Sequence, residues 1–229
     1  MNSPKTIVDS LFIGSLKTLS PDGQGQQTGI YKHSIPNAQV NELGIIGDVQ
    51  ADKRVHGGIE KALHQYAQSS YTTIITQYPE LKDIAIAGSI GENISSPNMD
   101  DRNVYIGDIY HIGSVIVQVS QPRSPCWKIN HRFDKHQLSK FIADNYISGW
   151  YYRVLQAGEI NEGDSITRLE RFNDSLSVAG FLEIVTSQRP TYEMLAQAAA
   201  CHGLNVDWKV RLEHRMSYLS KNTLSTKNK

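Results

Sequence analysis

The sequence predicts a mainly β domain with helices, closed or nearly closed into a barrel over residues 1–170, and a small three-helix region over 171–229. Three observations carry this. Short runs rich in β-branched and aromatic residues alternate with Gly, Pro, Asn and Asp through the first part, which is the pattern of many short strands. Gly-Asp pairs stand at 47–48, 107–108 and 163–164, where glycine frees the backbone and aspartate bonds its own turn, so they read as β-corners. Beyond residue 173 the apolar period changes to that of helices.

Taken along the chain, strands are predicted over 6–19, 28–35, 103–106, 109–112, 115–119, 150–155 and 165–169. Two helices interrupt them. The first covers 60–78, where Leu63, Tyr66, Ala67, Tyr71, Ile74, Ile75 and Tyr78 recur at helical spacing and Pro79 supplies the stop. The second covers 136–146, with Leu138, Phe141 and Ile142 on one face. Helices over 178–187, 192–201 and 206–219 follow, punctuated by Pro190 and Gly203, and the polar tail from Ser220 is expected to fray. Helices of about ten residues are marginal alone. Leu182, Ile184, Val185, Leu195, Val210 and Leu212 are therefore expected to bury against the barrel or against a second subunit, as in a homodimer. This region reads as a docking element and not as a site.

With 39% hydrophobic residues among 229, a packed core is within reach. The 23 cationic and 23 acidic residues cancel, which weighs against a grip on nucleic acid. No apolar run approaches the roughly 18 residues needed to span a bilayer, and residues 1–9 lack the charged-then-apolar plan of a secretory signal. Cys126 and Cys201 alone cannot build a disulfide framework. A globular cytoplasmic protein with no membrane partner is expected.

Four clusters could carry chemistry. Asp52-Lys53-Arg54-Val55-His56-Gly57-Gly58 puts two cations, a histidine and a flexible step before a predicted helix, a reasonable anion site or a solvated capping turn. Gly88-Ser89-Ile90-Gly91-Glu92-Asn93 is a tight loop that could let backbone approach a ligand. Ser120-Gln121-Pro122-Arg123-Ser124-Pro125-Cys126-Trp127 is stiffened by two prolines and presents Cys126 near a cation, which favours the thiolate that a nucleophile or soft-metal ligand requires. Asn130-His131-Arg132-Phe133-Asp134 holds a histidine that could pair with Cys126, although helix capping through Asp134 is the plainer reading. Cys201, on an Ala-rich helix, reads as core filler. A zinc site from Cys126, His131 and His136 lacks the usual paired spacing.

Lys53-Arg54-Val55-His56-Gly57-Gly58, Gly91-Glu92-Asn93 and Gln121-Pro122-Arg123-Ser124-Pro125-Cys126 stand in the order and spacing of the MOSC-domain family. With Gly149-Trp150 and Arg153-Val154 further on, the chain resembles the bacterial subfamily linked to resistance to 6-N-hydroxylaminopurine, which also carries a three-helix C-terminal region. One departure falls on the pocket wall: His64-Gln65-Tyr66-Ala67 stands where the family pattern has a cysteine or histidine followed by Tyr-Pro.

The resemblance implies a MOSC-type β-barrel that binds molybdenum cofactor (molybdopterin) with Cys126 as the ligand to the metal. It also implies reduction of N-hydroxylated bases or amines from N–OH to N–H. In that reading His56 and Glu92 deliver protons, Asn93 bonds substrate or cofactor, and Lys53, Arg54, Arg123 and the Gly57-Gly58 turn hold the pterin phosphate. No flavin or nicotinamide fingerprint is visible, so electrons are expected from a separate flavin or haem donor protein. The alternatives are a sulfur carrier using a Cys126 persulfide in cofactor maturation and a binding module without turnover.

Overall fold

The computed structural model describes residues 6–19, 25–51, 57–172 and 174–227, with side chains through 221. Its strands are β1 (Ser10–Gly14), β2 (Lys17–Thr18), β3 (Gln27–Thr28), β4 (Lys32–Ile35), β5 (Asn37–Asn41), β6 (Gly44–Ile45) and β7 (Leu63–Ala67), then β8 (Ile94–Ser96), β9 (Ile109–Ile112), β10 (Val115–Pro122), β11 (Trp150–Gln156), β12 (Gly158–Asn161) and β13 (Ile166–Glu170). Its helices are α1 (Gln68–Gln77), α2 (Trp127–Phe133), α3 (Leu138–Asp144), α4 (Val178–Thr186), α5 (Tyr192–Ala200) and α6 (Val206–Lys227).

Val115–Pro122 is buried at all but one of its positions, on both faces of the strand. A strand covered on both faces belongs in the middle of a sheet. Accordingly β10 lies third in an eight-stranded sheet of order β13-β9-β10-β11-β7-β8-β1-β4, antiparallel throughout except for β7 against β8. The residues leading into β1 then meet those leading into β13. Ile7 bridges Ser165, Val8 N–H donates to the Asp164 carbonyl at 2.9 Å, and Ile166 N–H donates to the Thr6 carbonyl at 2.9 Å. These bonds curl the sheet toward closure and satisfy edges that would otherwise stay open. A three-stranded sheet, β12-β5-β6, lies beside it.

One buried apolar cluster runs from Leu11, Val117 and Trp150 of the strands to Phe181, Leu195, Ala198 and Leu212 of the C-terminal helices. A second, around Tyr66, Tyr71, Ile74, Ile129 and Leu138, packs α1, α2 and α3 together. Ser177 caps α4 by accepting Gly180 N–H, and Thr191 caps α5 by accepting Met194 N–H.

Several expectations need correction. The helix predicted over 60–78 begins as a strand: Leu63–Ala67 is buried at every position and pairs with β11 and β8, and only Gln68–Gln77 is helical. A short apolar run buried on all sides does not reveal its own period. The strand predicted over 103–106 is a turn, set by the Asp100 carboxylate accepting Arg102 and Asn103 N–H at 2.8 and 3.0 Å. The stretch 6–19 divides into β1 and β2, while α2, β5, β6, β8 and β12 were not anticipated. The last helix continues to Lys227 past the expected fraying point, in a segment with no glycine or proline to stop it. No described helix is long and apolar enough to cross a membrane.

Candidate functional site

The site begins with a fault in the sheet. Between Val119 and Gln121 the β10–β11 register shifts, and the Ser120 hydroxyl there donates to the Glu60 carbonyl at 2.6 Å. A bulge re-aims the residues that follow it. Pro122 then ends the strand, and Arg123 N–H donates to the Gly149 carbonyl at 2.9 Å. Gly149 itself lies at φ +74°, where a Cβ would stand 2.6 Å from the Gln65 carbonyl. Only glycine lets the two segments approach this closely.

The redirected segment forms one wall of an open cleft. Arg123, Cys126 and Lys128 line it, with residues 28–30, 32, 48–51, 90, 91 and 93, and Lys61, His64 and Tyr151 complete the lining. Cys126 is half-buried at the cap of α2, its Sγ accepting Lys128 N–H at 3.4 Å. Arg123 is only 7% exposed. Its Nη2 donates to the Ile90 carbonyl at 3.1 Å, while its Nη1 has no hydrogen-bond partner among the described residues. A buried guanidinium with donors to spare is costly unless an acceptor arrives. Tyr151 stands beside it; burial raises the phenol's pKa, and the Arg123 charge opposes that rise.

Opposite lies a pair that sequence reasoning missed. Lys32 Nζ donates to both oxygens of Asp48, at 2.6 and 2.7 Å, with both side chains almost wholly buried. Asp48 also accepts Gly14 N–H and Asn93 Nδ2, each at 2.7 Å. Its acceptors are thereby filled, and among the described residues the Lys32 ammonium bonds Asp48 alone, with a third proton beyond these two bonds. Burial lowers the Lys32 pKa, against the pull of Asp48. Lys32 lies in a strand-like run and Asp48 was read as part of a corner, so no local pattern announces a contact between residues 16 apart.

The other expected site residues divide. Asn93 lines the cleft, but its Oδ1 accepts His64 N–H at 3.0 Å and its Nδ2 is held by Asp48 and the Phe12 carbonyl. It clamps the wall. Glu92 does not line the cleft. It is fully buried behind it, where Oε1 accepts the Tyr71 hydroxyl and Gly88 N–H, each at 2.6 Å, and burial raises its pKa. Glu92 is thus a buried acid with a raised pKa that reaches the cleft only through the wall it supports. Gly57 and Gly58 lead into a 3-10 turn at Ile59–Lys61, and neither lines the cleft. Lys53, Arg54 and His56 lie outside the described residues. Cys201 is fully buried; burial pushes its thiol up to about 11 and its Sγ donates to the Asp174 carbonyl. Among the described residues no three or more His, Cys, Asp or Glu side chains gather as a metal site.

The model of the MOSC domain matches residues 52–167. Protein YiiM of Escherichia coli strain K12 is 32% identical over 198 residues, covering 84% of this chain and 86% of that protein. A protein of Gibberella moniliformis named Reductase is 38% identical over 155 residues, which are 67% of this chain but 28% of that longer protein. Among solved structures, YiiM from Geobacillus stearothermophilus superposes with a TM-score of 0.77 at 28% identity, over 92% of this chain and 99% of that one. The chain belongs to the MOSC-domain family.

Proposed function

We propose that the chain is a molybdenum-cofactor-dependent reductase of N-hydroxylated bases or amines. The observation that carries this is the buried Arg123 guanidinium, whose Nη1 has no partner among the described residues, in the same cleft wall as the half-buried Cys126 thiol. The guanidinium suits a pterin phosphate, to which Nη1 would donate. A thiolate is a soft ligand suited to molybdenum. A single protein ligand suits a metal that arrives held by an organic group of its own. The relative named Reductase agrees with the class of reaction.

The overall conversion is R–NH–OH + 2 e⁻ + 2 H⁺ → R–NH₂ + H₂O. When bound, the cofactor supplies the two-electron chemistry. The protein's part is to hold, orient and protonate. Arg123, fixed by the Ile90 carbonyl, would hold the anionic end of the cofactor, and Cys126 would be the protein ligand to its metal. Lys32 would hold a proton at Nζ in the cleft wall beside Asp48, and it joins Glu92, buried behind the wall, as a candidate for proton delivery. Electrons come from a separate flavin or haem donor protein.

Cys126→Ser nearly preserves shape but substitutes a hydroxyl that stays protonated at neutral pH, a poor ligand for the metal. Reduction of an N-hydroxylated base, with the donor supplied, is expected to be abolished. Cys201→Ser, in a thiol engaged with backbone far from the cleft, is expected to retain activity. Full activity in a metal-loaded Cys126→Ser protein sinks the ligand assignment.

A further inference from the structure

Asp101 lies in the turn after Met99, outside the cleft lining, yet two hydrogen bonds link its carboxyl group to Arg123. Its Oδ1 accepts Gly149 N–H at 2.8 Å, and the Gly149 carbonyl accepts Arg123 N–H at 2.9 Å. Pro122 has no N–H to offer, so the bond to Gly149 fixes the chain as it leaves β10. Further out, Nη2 of the guanidinium donates to the Ile90 carbonyl. Arg123 is thus held at both ends, at its backbone by Gly149 and at its tip by Ile90. Gly149 has no side chain by which packing could fix it, and at φ +74°, with the Gln65 carbonyl against it, none fits. The bond from its N–H to Asp101 takes that place.

The turn that carries Asp101 is itself fixed by the C-terminal region. The Asp101 carbonyl accepts Ala179 N–H at 2.7 Å, the Val104 carbonyl accepts Val178 N–H at 2.9 Å, and Ile106 N–H donates to the Leu176 carbonyl at 2.8 Å. Between them Tyr105 bridges Ser177. The start of α4 is thereby stitched along the turn, and a continuous path of bonds runs from α4 through Asp101 and Gly149 to Arg123. The residue type matters as much as the path. Asp101 is 1% exposed, and burying a carboxyl group is costly. An apolar side chain of similar size would fill the position without that cost, but it would leave the Gly149 amide without an acceptor. We propose that Asp101 is a positioning residue: by holding Gly149 it fixes the Arg123 guanidinium where the anionic end of the cofactor is received. The inference rests on the reading of Arg123 as the group that holds the cofactor. It gives the C-terminal region a share in the site although none of its residues lines the cleft.

The test compares full-length wild type, Asp101→Leu, Asp101→Ser and Asp101→Asn, each purified from a molybdate-fed host. Leu212→Ala, in the apolar cluster away from the loop, controls for lost stability. Two quantities are read: hydrogen exchange of the Arg123 and Gly149 amides, and pterin per folded chain. Exchange is taken relative to the amides of β10, so that a uniform loss of stability cancels. Leucine removes the acceptor and serine draws it out of reach. Relative exchange at both amides is expected to quicken about tenfold or more in these variants, as an orphaned buried amide would give, and pterin is expected to fall. Asparagine, whose Oδ1 accepts the same bond, is expected to restore both, and Leu212→Ala to change neither. Unchanged exchange in Asp101→Leu and Asp101→Ser, or full pterin despite quickened exchange, overturns the proposal. So does an asparagine that restores nothing, or a Leu212→Ala protein that behaves like the leucine variant. Failure of both the leucine and serine variants to fold also overturns it, since the carboxyl group would then serve the fold. Failure of the cofactor reading registers separately, as wild-type protein without pterin in which exchange still follows the acceptor.

Discussion

Asp101 is 1% exposed, and burial pushes its carboxyl up to about 7 from an ordinary 3.8. Its Oδ1 accepts Gly149 N–H at 2.8 Å, beside the site loop, while its Oδ2 has no partner among the described residues. Between about pH 4 and 7 the folded protein holds this proton and the unfolded chain does not. Stability from this group is therefore greatest at the acid end, falls as pH rises through the window and is fully lost above it. Asp101→Asn keeps the Gly149 bond and removes the charge. It is expected to flatten the decline in melting temperature across that window and to gain up to a few kcal/mol at pH 8. Glu92, raised in the same direction, leaves a residual slope. An unchanged pH profile in Asp101→Asn would contradict the assignment. At this scale the sequence was a partial guide: Cys126 and Arg123 stand out because two prolines and an adjacent cation mark them, whereas the Lys32–Asp48 pair exists only once β4 and the 47–48 corner meet.

Helix α6 shows what an element adds. Leu212 is 1% exposed within the cluster that also holds strand residues Val117 and Trp150. Leu212→Ala is expected to cost about 2–5 kcal/mol, as buried leucine truncations do, read from denaturant unfolding. Removal of residues 173–229 strips Phe181, Leu195 and Leu212 from that cluster at once. The truncated chain is expected to unfold at much lower denaturant or to aggregate, and an equally stable truncation would show the two parts to be independent domains, against the expectation that the C-terminal helices dock on the barrel. The three C-terminal helices were legible because their apolar faces repeat over enough turns to define a period. The stretch 60–78 was not, because its first part is buried on every side and any period fits it. What decides between helix and strand there is pairing with β11 and β8, residues that lie far away in the chain.

For the molecule as a whole, the sheet curls until residues 6–8, leading into β1, bond residues 164–166 at β13, and the site sits where β10 breaks register. The alternation of short strands and Gly-Asp corners made the β architecture readable, and the ordered motifs made the family readable. The membership of the cleft was only half readable, since three expected residues fall at 53, 54 and 56 outside the described chain and two others, Glu92 and Asn93, are spent on holding the wall. The central claim is that Cys126 and Arg123 together hold a molybdenum pterin. It is tested most directly by elemental and pterin analysis of the wild type, Cys126→Ser and Arg123→Gln, each purified from a molybdate-fed host. The account predicts molybdenum and pterin stoichiometric with chain in the wild type, loss of molybdenum ahead of pterin in Cys126→Ser, and loss of both in Arg123→Gln. Wild-type protein that carries neither, or that carries sulfane sulfur on Cys126 without molybdenum, would contradict it.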